Sequence, residues 1–329
     1  AYYITTAFKG KGGKALAGFF AVAVIIALGF IGPMVQSNSI AATMNTAFSI
    51  EPWMVGIIIA VLGLLTAWSV AFGTRENQGG LRAKAEANGN PIEAFKAIAQ
   101  NDQLLWVALS YLLYSVANVA TTGVLFYQFK YVLGAPDSFS IAGIIPVITG
   151  LGTTPLYPVL NRRIPRRWLY TAGMALMIAG YTLFIIAPMN LPVVIVALVL
   201  FYLPAQTIQM TAILSMTDSI EYGQLKTGKR NEAVTLSVRP MLDKIAGALS
   251  NGIVGFVVVA AGMVGNATAA DMTAANIRTF KTCAYYLPLA GIVASLVVFL
   301  LTVKIDENMH AHIVEQLEGR LASEEADKQ

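Results

Sequence analysis

The sequence predicts an all-α protein that crosses a membrane several times. Of its 329 residues, 56% are apolar and 12% are charged, and the mean hydropathy is +0.64. A soluble domain carries about 25% charged residues. Eight apolar stretches each approach or exceed the roughly 20 residues that a helix needs to cross a bilayer; they span residues 15–35, 53–73, 104–129, 139–160, 168–188, 191–216, 236–263 and 283–303.

The positions of the basic residues predict the orientation in the bilayer. If the first span starts on the cytoplasmic side, nineteen of the 22 lysines and arginines lie in inside segments, and the outside segments keep Lys130, Arg278 and Lys281. Such a bias toward the inside is typical of membrane proteins. We therefore expect both ends of this chain to be cytoplasmic. The net charge of +4 follows from this topology, so we expect a lipid bilayer as partner and no nucleic acid.

Polar stretches divide the chain into four predicted parts. A polar cytoplasmic connector separates two spans from six, and a polar tail follows the last span. The four parts are residues 1–73, 74–103, 104–304 and 305–329. The chain starts at Ala1 without an initiator methionine, so we expect the natural protein to begin earlier. Its single cysteine, Cys283, cannot form an internal disulfide.

The tail and one basic loop are the most distinctive predicted cytoplasmic segments. In the tail, Ile313, Leu317 and Leu321 recur at every fourth position, which predicts an amphipathic helix. His310 and His312 are two residues apart, so they do not share a helix face, and we expect both to be solvated. The basic loop at 161–167 is either a positive-inside anchor or an electrostatic latch to neighbouring helix ends.

The span at 104–129 carries a polar stripe on an otherwise apolar helix. Tyr111, Ser115, Asn118 and Thr122 follow helical spacing, and Tyr114 lies nearby. Such a stripe is disfavoured against lipid, so we expect it to face protein or water. Packing between helices and lining of a cavity both fit the pattern.

The span at 191–216 contains a proline and two amides. Pro204 predicts a kink near residues 200–204, because proline removes a backbone hydrogen bond and clashes with the preceding turn. Gln206 and Gln209 are three residues apart and lie on one face. Amides at this depth need partners, which are either other helices or the hydroxyl groups of a polar solute.

Residues 218–244 hold a dense run of charge in a chain that is otherwise mostly apolar. The part from Asp218 to Glu232 is expected to be mostly a solvated cytoplasmic loop. Arg239 and Asp243 are four residues apart and can pair on the helix that follows. If that helix enters the hydrocarbon near residues 236–238, Lys244 lies roughly 10 Å deep. Lys244 either extends its ammonium back to the interface or marks a functional site.

The same segment carries a family resemblance. Asp218-Ser-Ile-Glu-Tyr-Gly-Gln-Leu-Lys-Thr-Gly-Lys-Arg, followed by Thr-Leu-Ser-Val-Arg-Pro and Met-Leu-Asp-Lys, resembles the signature of the glycoside–pentoside–hexuronide:cation symporters, especially the lactose and galactoside permeases of Gram-positive bacteria. Asn101-Asp-Gln-Leu-Leu-Trp and Gly73-Thr-Arg-Glu-Asn are similar to the same branch. The resemblance implies a twelve-helix major facilitator-type bundle in a bacterial cytoplasmic membrane. The eight spans would be its helices five to twelve.

The resemblance also implies a function and roles for several residues. It implies symport of a galactoside such as lactose, melibiose or raffinose with H⁺ or Na⁺ by alternating access, without an enzymatic activity or a cofactor. Lys244 matches the family's helix-eleven lysine near sugar and cation. Lys226, Lys229 and Glu232 match a charged stretch linked to coupling and gating. Arg239 stands where other members have glutamine. The acids that coordinate the cation lie on helices two and four of the family, which this chain does not contain.

Two sets of candidate residues follow from these patterns. The expected substrate-binding set is Lys244, Arg239, Gln209, Gln206, Asn118, Thr122 and Tyr114. The expected coupling and gating set is Lys226, Lys229, Glu232, Asp218, Glu221 and Asp243. No catalytic or metal-binding residue is expected.

Other functions stay open on the sequence alone. A pentoside or hexuronide is an alternative substrate, and a hexuronide would need a cationic pocket, which Arg239 and Lys244 would supply. A sugar sensor with a transporter fold is a different class. A membrane-embedded transferase would need a metal held by clustered carboxylates, and Asp218 with Glu221 would form half of that cluster. Regulation by components of the phosphotransferase system is also left open.

Overall fold

The computed structural model describes residues 11–24, 37, 40–41, 44–45, 48–73, 96, 98–265 and 267–326. Within these residues the regular structure is helical, without a β-strand. Seven helical segments of the described part are long and apolar enough to cross a membrane. The prediction of an all-α polytopic protein is therefore confirmed. The second half of the predicted first span and most of the predicted connector lie outside the described residues.

The chain separates into two compact units, Ala1–Ala94 and Phe95–Gln329. The first unit contains α1 (Lys11–Val24) and α2 (Pro52–Gly73). Helix α2 is apolar on all sides, and Val55 is its one buried residue. A helix that is hydrophobic all round is typical of a membrane span.

The second unit contains nine α-helices in its described part. They are α3 (Asp102–Tyr127), α4 (Ser140–Asn161), α5 (Arg166–Ile186), α6 (Leu191–Tyr202), α7 (Ala205–Thr227), α8 (Glu232–Ala260), α9 (Ala274–Lys281), α10 (Leu287–Thr302) and α11 (Glu307–Ala326). Short 3₁₀ turns precede α4 and α9. A π-helical turn extends α3, and another joins α9 to α10 so that these two form one span.

Helix α3 lies at the centre of the second unit and packs against α7, α8 and α10. Asn101 caps its start, because its Oδ1 accepts a hydrogen bond from the Leu104 N–H at 3.0 Å. The Asn101 amide also donates to the Ser219 carbonyl of α7 at 2.7 Å. A Cβ at Gly223 would come within 2.7 Å of that amide nitrogen, so a glycine there lets the two helix ends meet.

Small residues bring the helices of this unit close together. At Gly180 of α5, an added Cβ would be 2.9 Å from the Ala197 carbonyl oxygen and 3.2 Å from the Phe201 nitrogen of α6. Both neighbours are backbone atoms, which cannot move aside as a flexible side chain can. Close approach through small residues is a common way to pack helices inside a membrane.

Three hydroxyl groups join α3, α5 and α10 in the buried core. The Tyr170 oxygen lies 2.9 Å from Ser110 Oγ and 3.0 Å from Ser295 Oγ. Ser295 Oγ also donates to the Ser110 carbonyl at 2.7 Å. All three residues are at most 1% exposed. Each buried hydroxyl therefore has partners, as a polar group in an apolar bundle requires.

The prolines have different effects on their helices. Helix α6 ends at Tyr202 and α7 starts at Ala205, so the predicted kink near residues 200–204 is confirmed. Pro240, in contrast, does not end its helix. Helix α8 already begins at Glu232 and continues through Pro240, so the proline removes one internal hydrogen bond of an established helix.

The tail forms the predicted amphipathic helix. Helix α11 packs against α7, and Ile313 and Leu317 are 4% and 5% exposed. The burial of these two positions confirms the predicted apolar face. The Leu321 side chain lies outside the described part of the structure.

Candidate functional site

A polar group lies where α3 packs against α8, and its Arg239 and Asp243 side chains are 37% and 39% exposed. The Tyr111 hydroxyl donates to Asp243 Oδ1 at 2.7 Å. On the same helix as Asp243, Arg239 Nε is 3.9 Å from Asp243 Oδ2. The predicted pairing of Arg239 with Asp243 is therefore present, although the two groups are at the outer limit of an ion pair. The Arg239 and Gln209 side chains also lie within reach of the Tyr111 hydroxyl.

Five buried side-chain polar atoms have no hydrogen-bond partner among the described residues, and two of them lie on α3 and α8. These two are the Nε of Arg239 on α8 and the Oδ1 of Asn118 on α3. Such atoms are rare in folded proteins, because an unsatisfied buried donor or acceptor costs roughly 1–3 kcal/mol. One atom is a donor and the other is an acceptor, and a hydroxyl group of a ligand can complement either kind.

The other predicted substrate-binding residues of α3 and α7 differ in their environment. Tyr114 is 4% exposed, and its hydroxyl donates to the Ala205 carbonyl at 3.1 Å, which ties α3 to the start of α7. Thr122 is exposed, and its hydroxyl donates to the Asn118 carbonyl at 2.9 Å. Gln206, like Gln209, is half-buried. Tyr114 and Thr122 therefore have partners already.

Lys244 lies apart from the group around Asp243. It follows Asp243 directly, so it points about 100° away around the helix. Its side chain is exposed. The membrane-crossing segment starts at Val234, so Lys244 lies about 15 Å along it at 1.5 Å per residue. The whole span has 27 residues and is about 40 Å long at 1.5 Å per residue, which is longer than a hydrocarbon core about 30 Å thick.

A second charged group lies at the end of the unit where α5 begins and α7 ends. We call it the ionic latch. It joins the start of α5, the last turns of α7, the α7–α8 turn and the tail helix α11. Its members are Arg166, Asp218, Glu221, Arg230, Glu232, Glu307 and His310.

Arg166 holds one half of the ionic latch together. Its guanidinium is hydrogen-bonded to Asp218 Oδ2, and its Nε lies 3.2 Å from Glu307 Oε1. Its backbone N–H donates to the same Glu307 oxygen at 2.8 Å. Burial raises the pKa of Glu307, but the hydrogen bonds and charge of Arg166 outweigh this and leave the pKa below its ordinary value of 4.5.

Arg230 holds the other half. It donates to Glu221 Oε1 at 2.9 Å, Glu232 Oε2 at 3.0 Å and Gln224 Oε1 at 3.0 Å. Its side chain is 7% exposed and that of Glu221 is 14% exposed. The planar guanidinium makes three bonds at once, which the single ammonium of a lysine does not do in this fixed geometry.

His310 of the tail lies between the two halves. Its Nε2 is 3.8 Å from Asp218 Oδ1 and 3.6 Å from Glu221 Oε2. The expectation that His310 is solvated is wrong, because the amphipathic tail packs onto α7 and directs this ring at both carboxylates. His312 is exposed on the other side, as expected, with its side chain 71% accessible.

The ionic latch also corrects two further expectations. The solvated loop expected from residue 218 onward is wrong, since Asp218 and Glu221 belong to α7, which continues to Thr227. Of the two interpretations of the basic loop at 161–167, the electrostatic latch applies to Arg166. Arg162 and Arg163 are exposed, in agreement with an anchor at the interface.

The remaining predicted gating residues lie beside the ionic latch. Lys226 Nζ is 2.5 Å from Asp102 Oδ1 at the start of α3. The Tyr222 hydroxyl donates to the same carboxylate oxygen at 3.0 Å. Lys229 is exposed in the turn that follows α7. Asp243, the last of this predicted set, belongs to the polar group between α3 and α8.

Comparison with known families and proteins identifies the class of this chain. The sequence pattern of the family described as "MFS/sugar transport protein" matches residues 4–307. The chain belongs to this family. It is 49% identical over 267 residues to a lactose permease of Leuconostoc lactis, and 46% identical over 297 residues to a lactose permease of Lactobacillus helveticus. A raffinose carrier protein of Pediococcus pentosaceus is 39% identical over 267 residues.

These matches cover most of this chain but less of its relatives. They include 81%, 90% and 81% of the chain, in the same order, and 42%, 46% and 42% of the three relatives. The chain thus spans less than half the length of the curated relatives it matches. The family is one of transporters and not of enzymes, which confirms both the resemblance seen in the sequence and the expected fold class.

Proposed function

We propose that the complete protein is a secondary active transporter that moves a galactoside together with H⁺ or Na⁺ by alternating access. Three similar proteins support this proposal, since two are named lactose permeases and one a raffinose carrier. Lactose and raffinose both contain a galactosyl unit. The transporter would lie in a bacterial cytoplasmic membrane with both ends of this chain in the cytoplasm, in agreement with the distribution of its lysines and arginines.

The observation that carries the proposal is the presence of two unsatisfied polar atoms, one on α3 and one on α8. Arg239 offers a buried donor and Asn118 a buried acceptor, and sugar hydroxyls complement both. Gln206 and Gln209 add half-buried amides on the neighbouring helix. Lys244, about 15 Å along its span, is proposed to respond to bound sugar or cation. Thr122 and Tyr114 would line or support this region.

The ionic latch is proposed to hold the cytoplasmic side closed during part of the cycle. It joins four segments through charged side chains, and ion pairs of this kind have two discrete arrangements, formed and broken. Asp218, Glu221 and Glu232 belong to it directly. Lys226 and Lys229 lie next to it. Asp243 belongs to α8, as does Glu232 of the ionic latch, so α8 would connect the latch to the sugar.

Counterflow in proteoliposomes tests the proposal. The complete protein is reconstituted, and exchange of labelled lactose, raffinose, melibiose, a pentoside and a hexuronide is measured while Na⁺ and pH are varied. We expect exchange of galactosides and stimulation by one of the two cations. Exchange of the hexuronide alone would favour the alternative substrate class. Sugar binding without any exchange or accumulation would favour a sensor and contradict transport.

A pair of variants tests the role of Lys244. We expect Lys244→Ala to abolish accumulation of the sugar, whereas Arg163→Ala, which removes an exposed cation from a loop, leaves it unchanged. Sugar binding, measured separately by ligand-induced thermal stabilisation, distinguishes a binding role from a coupling role. Unchanged accumulation in Lys244→Ala would exclude Lys244 from the mechanism.

A further inference from the structure

An open pocket of about 790 Å³ lies where α9 meets the turn between α5 and α6. It is remote in sequence from every candidate residue for sugar binding or gating. Its lining combines two cations with apolar and aromatic side chains: Arg278, Lys281, Met189, Ile277 and Tyr286. The two cations are three residues apart on one helix, so they project from the same face into the same space.

The two cations lack a carboxylate partner among the described residues. Within that part of the chain, neither the Arg278 nor the Lys281 side chain takes part in an ion pair or a hydrogen bond. Three basic residues lie in the segments that the sequence predicts to be on the outer side of the membrane, and Arg278 and Lys281 are two of them. The third, Lys130, lies against the Tyr131 ring at 4.8 Å. Basic residues are disfavoured on that side, so two such cations in one pocket indicate an anionic ligand.

The surroundings of the pocket resemble a lipid-facing surface. Met189 is 65% exposed and Tyr286 is 49% exposed. Just beyond the pocket, Ile186 and Leu287 are 71% and 54% exposed. Exposed aliphatic side chains next to tyrosine and basic residues are typical of the border between the hydrocarbon and the headgroups. A ligand for this pocket therefore needs a negative charge at one end and hydrocarbon at the other.

We propose that this pocket binds an anionic phospholipid. Arg278 and Lys281 contact the phosphate of the headgroup, with the guanidinium forming charge-assisted hydrogen bonds to two of its oxygens. Tyr286 lies at the level of the glycerol backbone, and the acyl chains follow the exposed surface of Met189, Ile186 and Leu287. The lipid fills the space between α5 and the α9–α10 span from the membrane side.

Native mass spectrometry tests the proposal on the complete protein in detergent micelles. The protein is titrated with phosphatidylglycerol or with phosphatidylcholine, and the bound lipids are counted. One basic residue near an anionic lipid surface contributes about fivefold in binding, so we expect about a thirtyfold loss of phosphatidylglycerol affinity in Arg278→Gln/Lys281→Gln. The exchanged variant Arg278→Lys/Lys281→Arg should keep most of the affinity, because both charges remain.

Lys130→Gln is the matched control for the charge at this end of the protein. It removes the third cation and should leave the phosphatidylglycerol affinity unchanged. Equal binding of the two lipids, or equal affinity of the wild type and Arg278→Gln/Lys281→Gln, would overturn the proposal. Displacement of phosphatidylglycerol by millimolar inorganic phosphate would also overturn it, because the site would then recognise a free anion.

Discussion

Replacing Arg230 is the most direct test of the ionic latch. Its guanidinium donates to Glu221 at 2.9 Å, Glu232 at 3.0 Å and Gln224 at 3.0 Å, and its side chain is 7% exposed. In Arg230→Gln these bonds are lost together with the charge. Glu221 is 14% exposed. Without the Arg230 guanidinium, the basic side chain that remains next to it is His310, whose Nε2 is 3.6 Å from Glu221 Oε2.

The expected cost follows from the burial of the two charges. A fully exposed ion pair contributes about 0–1 kcal/mol, and removal of one partner of a fully buried pair costs about 3–5 kcal/mol. The pair of Arg230 and Glu221 lies between these limits, so we expect Arg230→Gln to lower the free energy of unfolding by about 2 kcal/mol. Arg230→Lys keeps the positive charge but loses the planar guanidinium that donates several hydrogen bonds at once. We expect it to lower the free energy of unfolding by about half as much as Arg230→Gln.

Equilibrium unfolding in denaturant measures these costs, and a double-mutant cycle with Glu221→Gln isolates the pair. We expect a coupling free energy of about 1–2 kcal/mol, since residues in one ionic network are not additive. The matched control is Arg163→Gln, which removes an exposed arginine and should change stability by less than about 0.5 kcal/mol. A cost of Arg230→Gln no larger than that of Arg163→Gln, or a vanishing coupling, would refute a stabilising role of this pair.

Three further predictions follow from other contacts. Gly180→Ala should destabilise the protein by about 2 kcal/mol, because its Cβ would meet backbone atoms, whereas Gly252→Ala, with open space around it, serves as the neutral control in the same unfolding assay. Tyr111→Phe removes a hydrogen bond to the Asp243 carboxylate and should cost about 1.5–3 kcal/mol; unchanged stability and sugar affinity would contradict the contact. Glu307 has a lowered pKa, so its stabilisation is present above its ordinary pKa of 4.5 and is lost as pH falls through the folded pKa; Glu307→Gln should therefore flatten the acid side of the stability profile.

Features that depend on neighbouring positions were predictable from the sequence. The kink near residues 200–204, the pairing of Arg239 with Asp243 and the apolar face of Ile313 and Leu317 all follow from spacing along one helix. The structure shows that this apolar face is buried against the bundle. The helix that it packs on, α7, could not be derived from the spacing of apolar residues alone.

The sequence offered an electrostatic latch only as one of two interpretations of the basic loop, and local spacing could not predict which residues form the ionic latch. His310 meets Asp218 and Glu221 because the tail folds back over α7, and these residues are too far apart in sequence to leave a periodic signal. Arg166 was visible only as one of four arginines in a short loop. Composition alone assigns all of these charges to solvent, although tertiary packing buries some of them and pairs them with one another.

The three hydroxyls of Ser110, Tyr170 and Ser295 impose a constraint on any conformational cycle. Their oxygens form a triangle whose sides are 2.9, 3.0 and 3.1 Å, so a small slide of one helix would break at least two contacts in a medium without replacement water. We therefore expect helices α3, α5 and α10 to move together as one rigid body during a conformational change. Spectroscopic labels attached to these three helices would keep constant mutual distances during turnover, and they would supply a fixed frame for measuring the displacement of α7 and α8.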